Sequence, residues 1–164
     1  MEIRYIKNTD NRFEISSVYE KSWKFAYKGI IPQSYLNSIP SGKWVANLDN
    51  PELHSLIIIE NEKIIGTSSF CKSRLSDFAE FGEIVSIYLL PEYIGKGYGK
   101  NLFQTVISEL LRLGYHDIFL WVLEDNIRAR VFYEKEGFLI GNKFLDDNIG
   151  GKVLREIQYC YHIS

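Results

Sequence analysis

The chain has 164 residues, 46% of them hydrophobic and 24% charged, and 19 Lys plus Arg against 21 Asp plus Glu leave a formal charge of −2. That balance fits one globular domain over residues 1–164 and gives no electrostatic basis for a bulk binder of nucleic acid or anionic membrane. Two cysteines, Cys71 and Cys160, are too few and too far apart for a disulfide framework or a metal knuckle, and they suit a reducing compartment.

Residues 2–6 alternate polar and apolar side chains and predict a first strand, where a signal peptide would show an apolar run. Thr9 or Asp10 is expected to cap a helix in which Ile15, Val18, Tyr19, Ser22, Trp23, Ala26 and Tyr27 recur at helical spacing, ended by Gly29. Pro32 opens a second helix over 32–39, Pro40 stops it, and a third short helical stretch covers 42–48. From residue 53 the period changes. Residues 53–60 and 63–72 form a hairpin about Asn61-Glu62, and 83–90 make a further strand closed by Pro91. Leu102, Val106, Leu110 and Leu113, flanked by Phe103, Ile107 and Leu111, give a helix over 97–113 a wide apolar face, with Gly114 as its stop. Residues 116–123 read as a strand, 126–136 as a helix, and 138–145 with 152–162 as a last hairpin around Asp147-Asn148-Ile149-Gly150-Gly151. A strand, crossover helix and strand between 83 and 123 imply one parallel pair. The expected fold class is therefore α/β, a mixed, mostly antiparallel twisted sheet of about seven strands flanked by about four helices. No apolar run approaches the roughly 20 residues needed to cross a bilayer, so a soluble cytoplasmic protein is expected.

The most informative segment is Tyr93-Ile94-Gly95-Lys96-Gly97-Tyr98-Gly99-Lys100-Asn101, between a strand and a long helix. Alternate glycines let a ligand approach the backbone, a helix N-terminus offers unpaired N–H groups, and Lys96 and Lys100 add charge, so the place suits phosphate. A Walker loop fails on Ile94, where glycine is needed, and on Asn101, where a hydroxyl is needed. A dinucleotide fingerprint begun at Gly95 and Gly97 fails at Lys100.

Residues 84–90, Pro91 and Gly95 to Lys100 before an apolar helix resemble the acetyl-CoA pyrophosphate loop of the GCN5-related N-acetyltransferase (GNAT) family. Leu120-Trp121-Val122-Leu123-Glu124-Asp125-Asn126, then Ala129 and Phe132-Tyr133-Glu134-Lys135-Glu136-Gly137-Phe138, are similar to that family's strand, Asn, helix and Tyr segment. The two motifs cover about residues 83–140. One departure is Ile94, where the family usually has Arg or Gln; it costs a side-chain contact to phosphate but leaves the backbone donors.

The resemblance implies that the strand before the loop bulges and splays from its parallel neighbour, opening a gap for pantetheine. Ile87, Tyr88 and Leu89 would meet pantetheine, Gly95, Lys96, Gly97, Tyr98, Gly99 and Lys100 the pyrophosphate, and Asn126 the cofactor's far side. Direct acetyl transfer to an amine in a ternary complex needs a neutral nitrogen, a polarised carbonyl and a proton for the departing thiolate. Tyr133 takes the family position of the acid, and Glu83 is the first choice of base, directly or through water, ahead of Glu80 and Ser86.

Substrate choice in the family lies with the first helices and the last hairpin, which here carry Trp23, Tyr27, Tyr35 and Trp44, with Asp146 and Asp147 opposite. The stretch from Ser22 to Leu36 resembles a bacterial subgroup that includes polyamine acetyltransferases. An aromatic wall beside carboxylates suits a cationic small-molecule amine. Expected alternatives are a non-catalytic acyl-CoA-binding regulator and a transferase acting on protein lysines or peptide N-termini. Acetyl-CoA is the expected co-substrate. No metal is expected, since His54, His116 and His162 lack ligand spacing. Either a monomer or a homodimer is compatible with the sequence.

Overall fold

The computed structural model describes residues 1–163. Seven strands form one sheet in the order β1-β2-β3-β4-β5-β7-β6. They are β1 (Glu2–Tyr5), β2 (His54–Glu60), β3 (Lys63–Lys72), β4 (Gly82–Leu89), β5 (Asp117–Leu123), β6 (Leu139–Ile149) and β7 (Lys152–His162). Only β4 and β5 are parallel, as the crossover helix required. The helices are α1 (Arg12–Ala26), α2 (Gln33–Ser38), α3 (Val45–Leu48), α4 (Tyr98–Arg112) and α5 (Ile127–Lys135). The third short stretch is thus a single turn, and the last hairpin extends four residues past the expected end of its first strand, turning at Gly150-Gly151.

The core divides by sheet face. On one side Leu102, Phe103, Val106 and Leu110 of α4 pack with Leu120, Val122 and Phe138. On the other Ile31, Leu36 and Ile39 pack with Leu123 and Leu154, roofed by Trp23 of α1 and by Tyr27, its C-cap. Strand alternation fixes these sides, because Val122 and Leu123 must face opposite ways.

The N-cap of α1 is Asn11, whose Oδ1 accepts the N–H groups of Phe13 and Glu14; neither Thr9 nor Asp10 serves. Asp10 instead takes a bidentate pair from Arg4 at 2.8 Å and the Lys7 N–H. The Arg4 guanidinium lowers its pKa to about 2, and its side chain is only 10% exposed. A depressed carboxylate contributes stability above its unfolded pKa and loses it as pH falls through the folded one. Asp10→Asn should therefore cost about 1–2 kcal/mol near neutrality, after allowing for screening. In urea titrations the difference from wild type should vanish as pH falls from about 4 towards 2; a difference independent of pH would refute it.

Candidate active site

The parallel pairing of β4 with β5 covers only Gly82, Glu83 and Ile84 against Ile118, Phe119 and Leu120. Beyond Ile84 the strands part. The cause is local: between Ser69↔Ser86 and Phe70↔Ile84 the β3 register shifts, leaving Val85 as an extra residue on β4. Such a bulge bends a strand and increases its twist. Val85 to Leu89 are consequently half-buried although they lie mid-sheet, and their β5 side has no ladder partner.

The opening is a cavity of about 510 Å³. Ile87, Tyr88 and Leu89 line it from β4, Asn126, Ala129, Phe132 and Tyr133 from the start and body of α5, and Gly95, Gly97, Gly99 and Lys100 from the glycine loop. Gly95 has φ +80° and Gly97, the N-cap of α4, has φ +91°, which L side chains rarely adopt; the space where each Cβ would stand is open. Gly99 is different. Its ideal Cβ would lie 3.3 Å from Leu89 Cδ1, so this glycine serves close packing of helix on strand. The first hydrogen bond of α4 runs from Asn101 N to Gly97 O, which leaves the N–H groups of Tyr98, Gly99 and Lys100 without a helical acceptor. Two expected contacts are not brought to the cavity wall. Lys96 lies over the Tyr93 ring, and Tyr98 packs edge-on against the same ring.

These features fit acetyl-CoA: an unpaired strand edge for the amides of pantetheine, open positive-φ glycines and free N–H groups for pyrophosphate. Asn126 serves two purposes. Its Oδ1 accepts the Ala129 N–H at 3.3 Å as the α5 cap, and the residue also lines the cavity.

Tyr133 is held among aromatics, with Phe103, Phe138, Phe132 and Tyr159 rings within 6.4 Å. Burial, with Tyr88 nearby, pushes its pKa far above the usual tyrosine value, so the phenol stays protonated. Across the gap Trp23 Nε1 donates to Tyr88 Oη at 3.1 Å, and Tyr27 Oη lies 3.5 Å from the same oxygen. Burial raises the Tyr27 pKa to about 12 and Tyr88 well above its ordinary value. Three neutral phenols therefore border one cavity. The expected aromatic wall is only partly there: Trp23 and Tyr27 line the cavity, whereas Tyr35 packs over Gly150 of the last turn and Trp44 stacks on Tyr19.

Glu83 lines the cavity where the strands begin to part, yet it is 1% exposed and both its oxygens are engaged. Arg74, in the loop before β4, donates through Nε to both oxygens and through Nη2, and its backbone N–H is a third donor. Of the weaker candidates, Ser86 lines the cavity and Glu80 does not. Sequence reasoning missed Arg74 and Glu156, both in the cavity wall. Neither stands in a motif; only the β5–β7 register, which sets Glu156 opposite Leu123, could have found the second. Among the described residues no group of His, Cys, Asp and Glu could hold a metal, and no helix is long and apolar enough to cross a membrane.

The comparisons agree with this geometry. The family model described as Acetyltransferase (GNAT) family matches residues 15–138. YuaI of Bacillus subtilis, named an uncharacterized N-acetyltransferase, is 30% identical over 148 residues, 88% of this chain and 83% of its own. Spermidine N(1)-acetyltransferase of Thermoplasma acidophilum is 28% identical over 151 residues, 87% and 88% of the two chains. The crystal structure of PaiA N-acetyltransferase from Thermoplasma acidophilum, solved with coenzyme A, superposes with a TM-score of 0.73 at 23% identity, covering 98% of this chain and 100% of that one. Its fold is the same mixed sheet. With a splayed strand pair, an open glycine loop on a helix N-terminus and a family match over most of its length, the chain belongs to the GNAT family of N-acetyltransferases and takes its acyl group from acetyl-CoA.

Proposed function

We propose that this enzyme transfers acetyl directly to a primary amine of a small polyamine-like molecule in a ternary complex. The observation that carries the reading is that one cavity joins the glycine loop and Tyr133 to an end bordered by Trp23, Tyr27 and two carboxylates, Glu83 and Glu156. Such an end attracts a cation by ring quadrupoles and by charge. The spermidine acetyltransferase among its relatives acts on an amine of this chemistry.

Bound acetyl-CoA supplies an activated acetyl group and a thiol leaving group. Gly95, Gly97 and the free N–H groups of α4 would hold its pyrophosphate, the exposed edge of Ile87, Tyr88 and Leu89 its pantetheine, and Asn126 its far side; Lys96 and Tyr98 would act only from the loop's outer face. Tyr133 is the proposed acid, positioned by the aromatic cage around its ring. Glu83, whose oxygens are already held by Arg74, would act as base through water, not by direct contact. Tyr35 would shape the acceptor entrance through the β6–β7 turn it packs on.

The test is a panel of polyamines, amino acids, aminoglycosides and short peptides with acetyl-CoA, read as thiol release. The expected result is turnover with polyamines well above that with amino acids or peptides. Binding of acetyl-CoA without turnover on every amine would replace this reading by an acyl-CoA-binding regulator, and preference for peptides would replace the acceptor class.

A further inference from the structure

We infer that Glu156 is the carboxylate that receives the acceptor's ammonium group and takes its proton, with Glu83 fixed behind it as the anchor of Arg74. This rests on the ternary acetyl-transfer reading above and moves the base from Glu83, which is held by Arg74 and reaches the amine only through water, to the group that touches the nitrogen.

Glu156 lies on β7 directly opposite Leu123 of β5 and Leu145 of β6. Directly opposed residues of an antiparallel pair share a face, so Glu156 stands on the Leu123 face, the one roofed by α1 and α2. Glu83, paired with Phe119, shares that face, since Phe119 and Leu123 lie an even number of positions apart along β5. The two carboxylates border the same cavity, but they differ in their partners. Glu83 is buried with its oxygens taken by Arg74, whereas Glu156 is half-buried and no described residue gives its carboxylate a hydrogen bond or an ion pair. A carboxylate removed in part from water, facing a cavity and without a partner, gains most from a ligand that brings N–H donors and positive charge.

The charged and titratable groups around it reinforce the assignment. Asp147 on β6 and Arg74 on the β3–β4 loop act on it from two sides, Tyr27 at the C-cap of α1 faces it across the cavity, and Glu83 stands further along β4. Burial, aided by the Asp147 charge and opposed by Arg74, raises the Glu156 pKa. That moves it towards the range in which a carboxylate serves as a general base near neutral pH.

R–NH3+ and the Glu156 carboxylate become R–NH2 and the carboxylic acid. The nitrogen lone pair then forms the N–C bond at the acetyl carbon, and the C–S bond breaks with its electron pair on sulfur. Tyr133 gives its phenolic proton to that sulfur and recovers one from the nitrogen, while Glu156 releases its proton to solvent. Ammonium and thioester thus give amide, thiol and one proton.

Spermidine binding to the protein without acetyl-CoA, measured by calorimetry at pH 7, separates this assignment from the reading it rests on. Glu156→Gln should weaken the spermidine Kd about tenfold, the effect of losing one charge-assisted hydrogen bond, while the Kd for CoA stays within about twofold. Glu156→Asp should keep most of the binding. In turnover, the kcat/KM deficit of Glu156→Gln should shrink as pH rises and free amine replaces ammonium. Unchanged spermidine binding in Glu156→Gln, equal losses for spermidine and CoA, a deficit independent of pH, or a wild type that binds no spermidine would each overturn the assignment. If wild type acetylates no amine, the reaction reading falls, and the binding measurement still decides the ammonium site.

Discussion

Tyr133→Phe should lower kcat by roughly 10²- to 10⁴-fold, the usual cost of removing a positioned acid, while the KM for acetyl-CoA changes by no more than about threefold. The substitution keeps the ring that packs on Phe103 and Phe138, so stability and the cavity wall are preserved and the hydroxyl alone is removed. The direction of the pKa shift adds a second expectation. Because burial and Tyr88 raise the phenol's pKa, Tyr133 remains a proton donor throughout roughly pH 6 to 9 and should contribute no basic limb to the kcat profile in that window. Steady-state kinetics with a turned-over amine decides both points. Full kcat in Tyr133→Phe would remove the acid from this position, leaving Tyr27 and Tyr88 as the other phenols that border the gap among the described residues.

Gly97→Val should abolish tight acetyl-CoA binding, raising Kd by at least about tenfold, and should also destabilise the fold by roughly 1–3 kcal/mol. Gly97 sits at φ +91° as the N-cap of α4, a conformation that a β-branched residue reaches only under strain. Relief of that strain would rotate the peptide groups that aim the first N–H groups of α4 at the phosphate position, so affinity and stability should fall together. Lys96→Ala is the contrasting case. Lys96 lies over Tyr93 outside the cavity wall, and its loss should change Kd by about twofold, the scale of one screened, exposed charge. Calorimetry with CoA and a thermal melt of each variant make the comparison. Wild-type affinity in Gly97→Val would mean that the loop does not hold the pyrophosphate.

Much of the fold could be read along the chain because its signals are local. The alternation of β2 and β3, the wide apolar face of α4 and the stops at Pro40, Pro91 and Gly114 each act within a few residues. Misplaced boundaries were also local in origin. Asn11 displaced Asp10 as the cap because Arg4, six residues back, claimed the Asp10 carboxylate. The β6–β7 hairpin ran on to Ile149 because Gly150 and Gly151 both take positive φ and provide the tight turn there.

The glycine loop and Tyr133 were legible for the same reason, since backbone freedom, a helix start and a motif spacing are written in consecutive residues. Which side chains meet in the cavity was not. Arg74 closes on Glu83 only because β3 and β4 bring them together, Tyr88 joins Trp23 and Tyr27 only because α1 lies over β4, and Glu156 enters the site only through its register against Leu123. The aromatic residues of the first third of the chain divide accordingly. The family resemblance grouped Trp23, Tyr27, Tyr35 and Trp44 together, but packing placed only the first two on the cavity and spent the others on the turn and the core. The sequence by itself determined the family, the acetyl donor and the open glycine loop at a helix start, because those depend on φ angles and short-range pattern. The proposed acceptor end was decided by the tertiary structure alone, because strand register and helix docking set which distant carboxylates and phenols face the same space.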